Sequence, residues 1–175
     1  MIKLKDILTE AKAPSIFIPR RMEDRVERMI KQYIRNGSRN ELDLSDYGLT
    51  KLPEILKNVD VERYFICSVN KLTTLENSPK TVGGSFYCGN NQLISLKGAP
   101  KTIDGSFHCS FNKLESLEGA PQSVGNDFKC TFNNLESLEG APQSVGGNFI
   151  CNSNPFIFSK RLVRDVSKVK GKIII

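Results

Sequence analysis

From residue 65 onward the apolar positions of the chain fall on a comb whose teeth are 21 residues apart. Phe65, Phe86, Phe107, Phe128 and Phe149 are each followed two residues later by Cys67, Cys88, Cys109, Cys130 and Cys151. Asn70, Asn91, Asn112, Asn133 and Asn154 come three residues on. Leu72, Leu93, Leu114 and Leu135 follow, with Phe156 at the last position, and then Leu75, Leu96, Leu117 and Leu138. Pro79, Pro100, Pro121 and Pro142 precede a final apolar column of Val82, Ile103, Val124 and Val145. Self-similarity at a fixed period of this size is the sequence sign of a solenoid.

The physics of each column follows from stacking. F-x-C predicts a short strand with Phe and Cys on one face and the intervening residue on the other. Copies laid side by side form a parallel ladder, roughly 4.8 Å per step. Like residues then bury like residues. A large apolar side chain contributes about 1.5–3 kcal/mol when buried, and one coil alone cannot bury its own. The Asn column is expected to turn inward where the strand ends, pairing backbone groups of its own coil and a neighbour. Gly84, Gly105 and Gly147 are expected at positive φ where the chain re-enters the strand, with Asn126 in the same role, because Asn tolerates that region best after Gly.

A degenerate copy precedes these: Leu42-Asp-Leu44, then Tyr47-Gly48-Leu49, then Leu52-Pro53. It lies 23 residues before the next, so the 53–64 connection holds two extra residues. Leu44 occupies the cysteine column there, so the column requires an apolar group rather than a thiol. Terminal coils need caps. Residues 20–36 place Met22, Val26, Met29, Ile30, Tyr33 and Ile34 on one helical face, with Gly37 as the stop. Ser159 is placed to cap a helix running to about Lys168, with Leu162, Val163 and Val166 apolar. Gly171-Lys-Ile-Ile-Ile175 reads as a last strand. The expected fold is an α/β solenoid of about six coils with a parallel strand ladder. Its parts are a tail or targeting peptide over 1–19, a cap helix over 20–40, the solenoid over 41–158 and a C-terminal cap over 159–175.

The repeat L-x-x-L-x-G-A-P-x-x-V-x-G-x-F-x-C-x-x-N-x resembles the short leucine-rich repeats of bacteriophage and other viral proteins, relatives of the repeats in bacterial effector proteins. The resemblance covers residues 41–156. It implies a protein-binding module. Effectors with such repeats often carry a ubiquitin-ligase domain whose catalytic Cys lies outside the repeats, and this chain has no Cys off the comb. Near the N-terminus, Leu4, Ile7, Leu8 and Ala11 share a helical face ahead of Pro14. One reading is another capping turn or a tail. The other is that Ile7-Leu8-Thr9-Glu10 followed by Ala11 resembles the capsid-targeting peptides of T-even-type phage internal head proteins. That resemblance implies processing at Leu8, Glu10 and Ala11 and packaging in a phage head.

Charge modifies the picture only at the ends. Residues 1–40 carry ten Lys/Arg against five Asp/Glu, residues 159–175 six against one, and residues 41–158 nine against thirteen. The total of +6 invites a nucleic-acid reading, but the repeated surface is mildly acidic. No run of 18 apolar residues is present, so a membrane span is not expected. Lys3, Lys5 and Asp6 interrupt the only apolar stretch near the N-terminus, which argues against a signal peptide. Five cysteines, an odd number, suit a reducing compartment such as a host cytoplasm better than a disulfide framework.

Five thiols in a straight column cannot surround a tetrahedral metal, and parallel side-chain vectors disfavour disulfides. His108, the single histidine, has Tyr87 and Lys129 beside it and no partner acid or nucleophile. No catalytic, cofactor or metal residues are assigned, and no enzyme is expected. The candidate partner-binding residues are the variable outward ones: Ile66, Tyr87, His108, Lys129 and Ile150 in one row, with Phe111 and Phe132 in a second row of Val69, Asn90, Phe111, Phe132 and Ser153. Either the two phenylalanines are exposed as part of an apolar patch, or they fold over the strand edge into the core. Two functions follow. The first is a non-catalytic protein-interaction module binding a host or virion protein through the strand face. The second is a nucleic-acid-associated or virion structural protein using the basic caps: Arg20, Arg21, Arg25, Arg28 and Lys31 at one end, and Lys160, Arg161, Arg164, Lys168, Lys170 and Lys172 at the other.

Overall fold

A computed structural model describes residues 18–175, the side chains of 18–22 excepted. The expectations for Leu4, Ile7, Leu8, Glu10 and Ala11, and for the side chain of Met22, lie outside the described residues.

Helix α1 (Ile18–Arg35) opens the described chain. Val26 and Ile30 are fully buried and Tyr33 nearly so, while Met29 packs at their edge. These residues make one stripe at helical spacing. Ile34, expected on that stripe, is 42% exposed. It stands about 100° round the helix from Tyr33, past the edge of contact with the first coil. Gly37 ends the helix at φ +79°. Ser38 N–H donates to Tyr33 O (3.2 Å) and Gly37 N–H to Ile34 O (3.0 Å), the paired bonds of a Schellman stop. Tyr47, which replaces Asn in the first coil, fastens the helix down. Its hydroxyl meets Met29 Sδ at 3.1 Å, and the Arg25 guanidinium lies 5.5 Å from its ring centroid.

Thirteen two-residue strands follow, and five of the coils contribute a pair each. They are β1 (Leu42–Asp43), β2 (Asp60–Val61), β3 (Phe65–Ile66), β4 (Thr81–Val82), β5 (Phe86–Tyr87), β6 (Thr102–Ile103) and β7 (Phe107–His108). Then come β8 (Ser123–Val124), β9 (Phe128–Lys129), β10 (Ser144–Val145), β11 (Phe149–Ile150), β12 (Lys168–Val169) and β13 (Ile173–Ile174). The odd-numbered strands build one seven-stranded sheet in chain order, the main ladder. On the other side of the coils β6, β8, β10 and β12 build a second sheet, and β2 pairs with β4. Every pairing is parallel and in register, Phe86 opposite Phe107 and Phe107 opposite Phe128. The fold is therefore the expected parallel-strand solenoid with a helix near each end.

The columns close as the repeat requires. Phe65, Phe86, Phe107, Phe128 and Phe149 are all fully buried, with successive ring centroids 5.0–5.8 Å apart. Leu44 and the cysteines fill the next column. Each Asn knits two coils. Asn112 Nδ2 donates to Cys88 O and Cys109 O (both 3.1 Å), and its Oδ1 accepts from Leu93 N–H (3.0 Å). Asn70, Asn91, Asn133 and Asn154 repeat the pattern.

Three expectations need correction. Gly84, Gly105, Gly147 and Asn126 do not have positive φ; the positive-φ glycines are Gly37, Gly48, Gly98, Gly119 and Gly140. The re-entry glycines answer a steric demand instead, since a Cβ at Gly84 would lie 2.4 Å from Arg63 O. Phe156 does not join the buried leucine column and is 49% exposed, while Phe158, two residues on, is buried. The C-terminal helix, α2 (Lys160–Val166), stops two residues short of Lys168. Lys168 and Val169 form β12 instead, paired with Ser144 and Val145. Only Val163 of its apolar residues is buried, with Leu162 and Val166 37% and 40% exposed. Ser159 caps it as expected, accepting from Leu162 N–H at 3.1 Å. The two extra residues before the second coil are taken up by a 3-10 helix, Glu54–Asn58, that buries Leu56.

Candidate functional site

The main ladder has one face in the core and one in solvent, because successive strand residues alternate. The outward row places Ile66, Tyr87, His108, Lys129 and Ile150 side by side in register, all half-buried. Tyr87 meets His108 edge-on at 4.8 Å and 79°. Tyr64, not anticipated from the sequence, extends the cluster: it is 40% exposed and lies edge-on to Tyr87 at 6.3 Å. The same chain position holds Ser85, Ser106, Asp127 and Asn148 in later coils, and Tyr64 is the one aromatic residue in that column.

His108 is held neutral. Burial pushes its pKa down to about 4, and the Lys129 ammonium pushes the same way against a smaller opposing effect of Asp127. The face thus presents an uncharged imidazole near neutral pH.

A feature of the second row escaped the sequence reading. Val69, Asn90, Phe111, Phe132 and Ser153 all have φ between 53° and 60°, and so does Asp46 of the first coil at φ 60°. The turn off the strand therefore passes through the left-handed region in six successive coils, a region that suits Asn and Asp and penalises bulky side chains. Asp46 and Asn90 were the available signal. The conformation aims each side chain out of the core, so Phe111 and Phe132 do not complete it. They stand 50% and 51% exposed, stacked at 4.5 Å and 8°. Asn90 and Ser153 flank the pair in the same column.

The structure thus assembles the sequence candidates as two adjoining arrays on one sheet, an edge-on Tyr64–Tyr87–His108 row and a Phe111–Phe132 stack. Ile66 and Lys129 lie in the same rungs. Around them are Ser68, Gly89, Ser110, Thr131 and Asn152, a charge-poor lining in which Ser110 and Thr131 hydroxyls meet at 3.0 Å.

The cysteine column offers no reactive thiol. All five are free and buried, and burial raises every one, Cys151 to about 11 and the others further. Cys88 and Cys109 point Sγ at His108 O (3.4 Å) and Lys129 O (3.3 Å) of the following coil. Among the described residues no three His, Cys, Asp or Glu side chains converge on a common point where a metal ion could sit. No described helix is long and apolar enough to cross a membrane. Compared with known proteins, the chain matches no family model and none of the curated sequences.

Proposed function

We propose that the protein is a non-catalytic interaction module, phage-encoded, that binds a host or virion protein through the outward face of its main ladder. The Phe111–Phe132 stack carries this reading. Two bulky residues occupy a left-handed column at adjacent coils, where each costs about 1–2 kcal/mol relative to a residue suited to that backbone. They are also left half exposed to water. Neither choice serves the core, and exposed paired aromatics are what protein interfaces use as anchors. The surrounding Tyr, Ser, Gly and Asn match the composition of binding surfaces that combine rigid aromatic area with adaptable hydrogen bonding.

The test is a double substitution, Phe111→Asn/Phe132→Asn. Asn fits the backbone there, which offsets the lost half-buried stack worth about 0.5–1.5 kcal/mol. Stability measured by urea unfolding is expected to change by less than about 1 kcal/mol, while capture of the cognate protein from host lysate or virions falls by at least about tenfold. Undiminished capture of every partner by this variant would overturn the strand-face reading. The second reading, a nucleic-acid-associated protein using the basic caps, predicts a different signature. Its binding weakens steeply between about 50 and 200 mM salt, whereas an aromatic-anchored interface does not.

A further inference from the structure

The leucine columns run coil on coil as far as Leu138, and there the repeat stops. Residues 155–158 and α2 pack against that coil in place of another copy. They cover it incompletely. A groove of about 560 Å³ lies between Glu136–Ala141 on one side and Phe156, Phe158, Leu162 and Val166 on the other. Phe156, half exposed, leans on buried Phe158 with ring centroids 5.0 Å apart. Leu162 and Val166 are four residues apart, so they share one side of α2, and both are partly exposed there while Val163 takes the core.

The rim of this groove is acidic. Glu136 and Glu139 line it, and no Lys or Arg does. Glu115 and Glu118 hold the same two columns one coil back, because Leu-Glu-Ser-Leu-Glu occurs in both coils. Glu136 N–H donates to Glu115 O (2.9 Å) and Leu117 N–H to Glu139 O (2.8 Å), which sets the two pairs one rung apart. All four carboxylates are exposed, and among the described residues none is in an ion pair. Earlier coils differ. Thr73 and Ile94 hold the first column there, and in the second Lys97 pairs with Glu76 at 3.4 Å. The uncompensated charge is confined to the two coils beside the groove.

We propose that this groove is a second docking site, taking a basic segment of a partner protein. One bulky apolar side chain of the segment seats among Phe156, Leu162 and Val166, and Lys or Arg residues on either side of it pair with Glu136, Glu139, Glu115 and Glu118. Charge complementarity selects this occupant. Four unpaired carboxylates repel nucleic acid and an anionic membrane surface. Exposed ion pairs contribute little each, so a small cation is held weakly, and the apolar seat supplies the anchor. A second copy of the chain is disfavoured, since a net charge of +6 on each sets the two apart.

The experiment uses the 175-residue protein and a fluorescein-labelled heptapeptide, a central Trp with Gly and then a pair of Lys on each side, read by fluorescence anisotropy. Saturable binding is expected. The same peptide with Ser for Trp keeps the charge and loses the anchor, and it is expected to bind at least about tenfold more weakly. Glu136→Gln/Glu139→Gln, whose exposed side chains leave the circular dichroism spectrum and melting curve unchanged, is expected to weaken the Trp peptide at least about tenfold. Absence of binding by the Trp peptide would overturn the proposal. So would equal binding of the Ser peptide, undiminished binding by the Gln variant, or tighter binding of a peptide with Glu in place of every Lys. A dimer in sedimentation equilibrium that the two Gln substitutions dissociate would give the groove to a second copy and overturn it as well. Phe111→Asn/Phe132→Asn leaves the groove untouched and is expected to bind the Trp peptide normally, which separates this site from the strand face.

Discussion

Asn112 shows how one side chain can be indispensable without touching a ligand. It is 9% exposed, and its amide holds two carbonyls from different coils while its oxygen receives the Leu93 N–H. Replacing it by Ala leaves the Leu93 N–H without a partner and takes one of two donors from each carbonyl, Cys88 O keeping Asn91 Nδ2 and Cys109 O keeping Asn133 Nδ2. An unsatisfied buried group costs about 1–3 kcal/mol, so Asn112→Ala is expected to cost about 2 kcal/mol in urea or thermal unfolding. Asn112→Asp is expected to be worse, since a carboxylate has no proton for Cys88 O and Cys109 O and would be buried charged against them. Wild-type stability in either variant would mean that the Asn ladder is ornamental. The same column logic identified these residues from sequence, because a polar residue recurring in phase with apolar ones has to be doing a job inside the core.

At the scale of a single element, the tightest demand is where one coil's turn into its strand lies on its neighbour's. A Cβ placed on Gly125 would come 1.9 Å from Asp104 O, backbone against side chain with nothing flexible to yield. Gly125→Ala is therefore expected to push β8 off β6 and cost at least about 3 kcal/mol, whereas Gly48→Ala, which meets nothing within 4 Å, costs only the left-handed penalty of about 1 kcal/mol. Equal effects of the two changes would refute the steric account. This is also where sequence reasoning ran out. Recurring glycines are visible in the chain, but whether a glycine answers a dihedral or a contact depends on how near the next coil lies, and no single coil encodes that. The inward columns were legible because burial filters residue type at every repeat. The left-handed row was obscured because Val69, Phe111 and Phe132 contradict the local preference that Asp46 and Asn90 obey. The strand β12 was hidden too: Val169 and Gly171 keep the V-x-G of the repeat, in register with Val145 and Gly147, but a step of 24 residues takes them off the 21-residue comb.

For the molecule as a whole, each coil touches only the coils before and after it, so stability is approximately a sum of coil terms and interface terms. The period then becomes a physical length that can be cut. Deleting residues 107–127 removes one 21-residue coil and joins Ser106 to Phe128, recreating the Ser-Phe junction found at Ser85-Phe86 and Ser106-Phe107. The shortened protein is expected to fold cooperatively with its remaining columns in register. Its urea m-value is expected to fall by roughly an eighth, in proportion to the surface no longer exposed on unfolding. Deleting residues 107–128 removes one residue more. A coil one residue short cannot loop the difference out, as the 3-10 helix Glu54–Asn58 does for the long connection. It must draw Lys129 into the phenylalanine column or shift every later side chain to the opposite face. Loss of a cooperative transition is expected for this second deletion, with the first keeping one. Were both deletions to unfold alike, stability would not be organised coil by coil; were both to fold alike, the register would be looser than the buried columns imply.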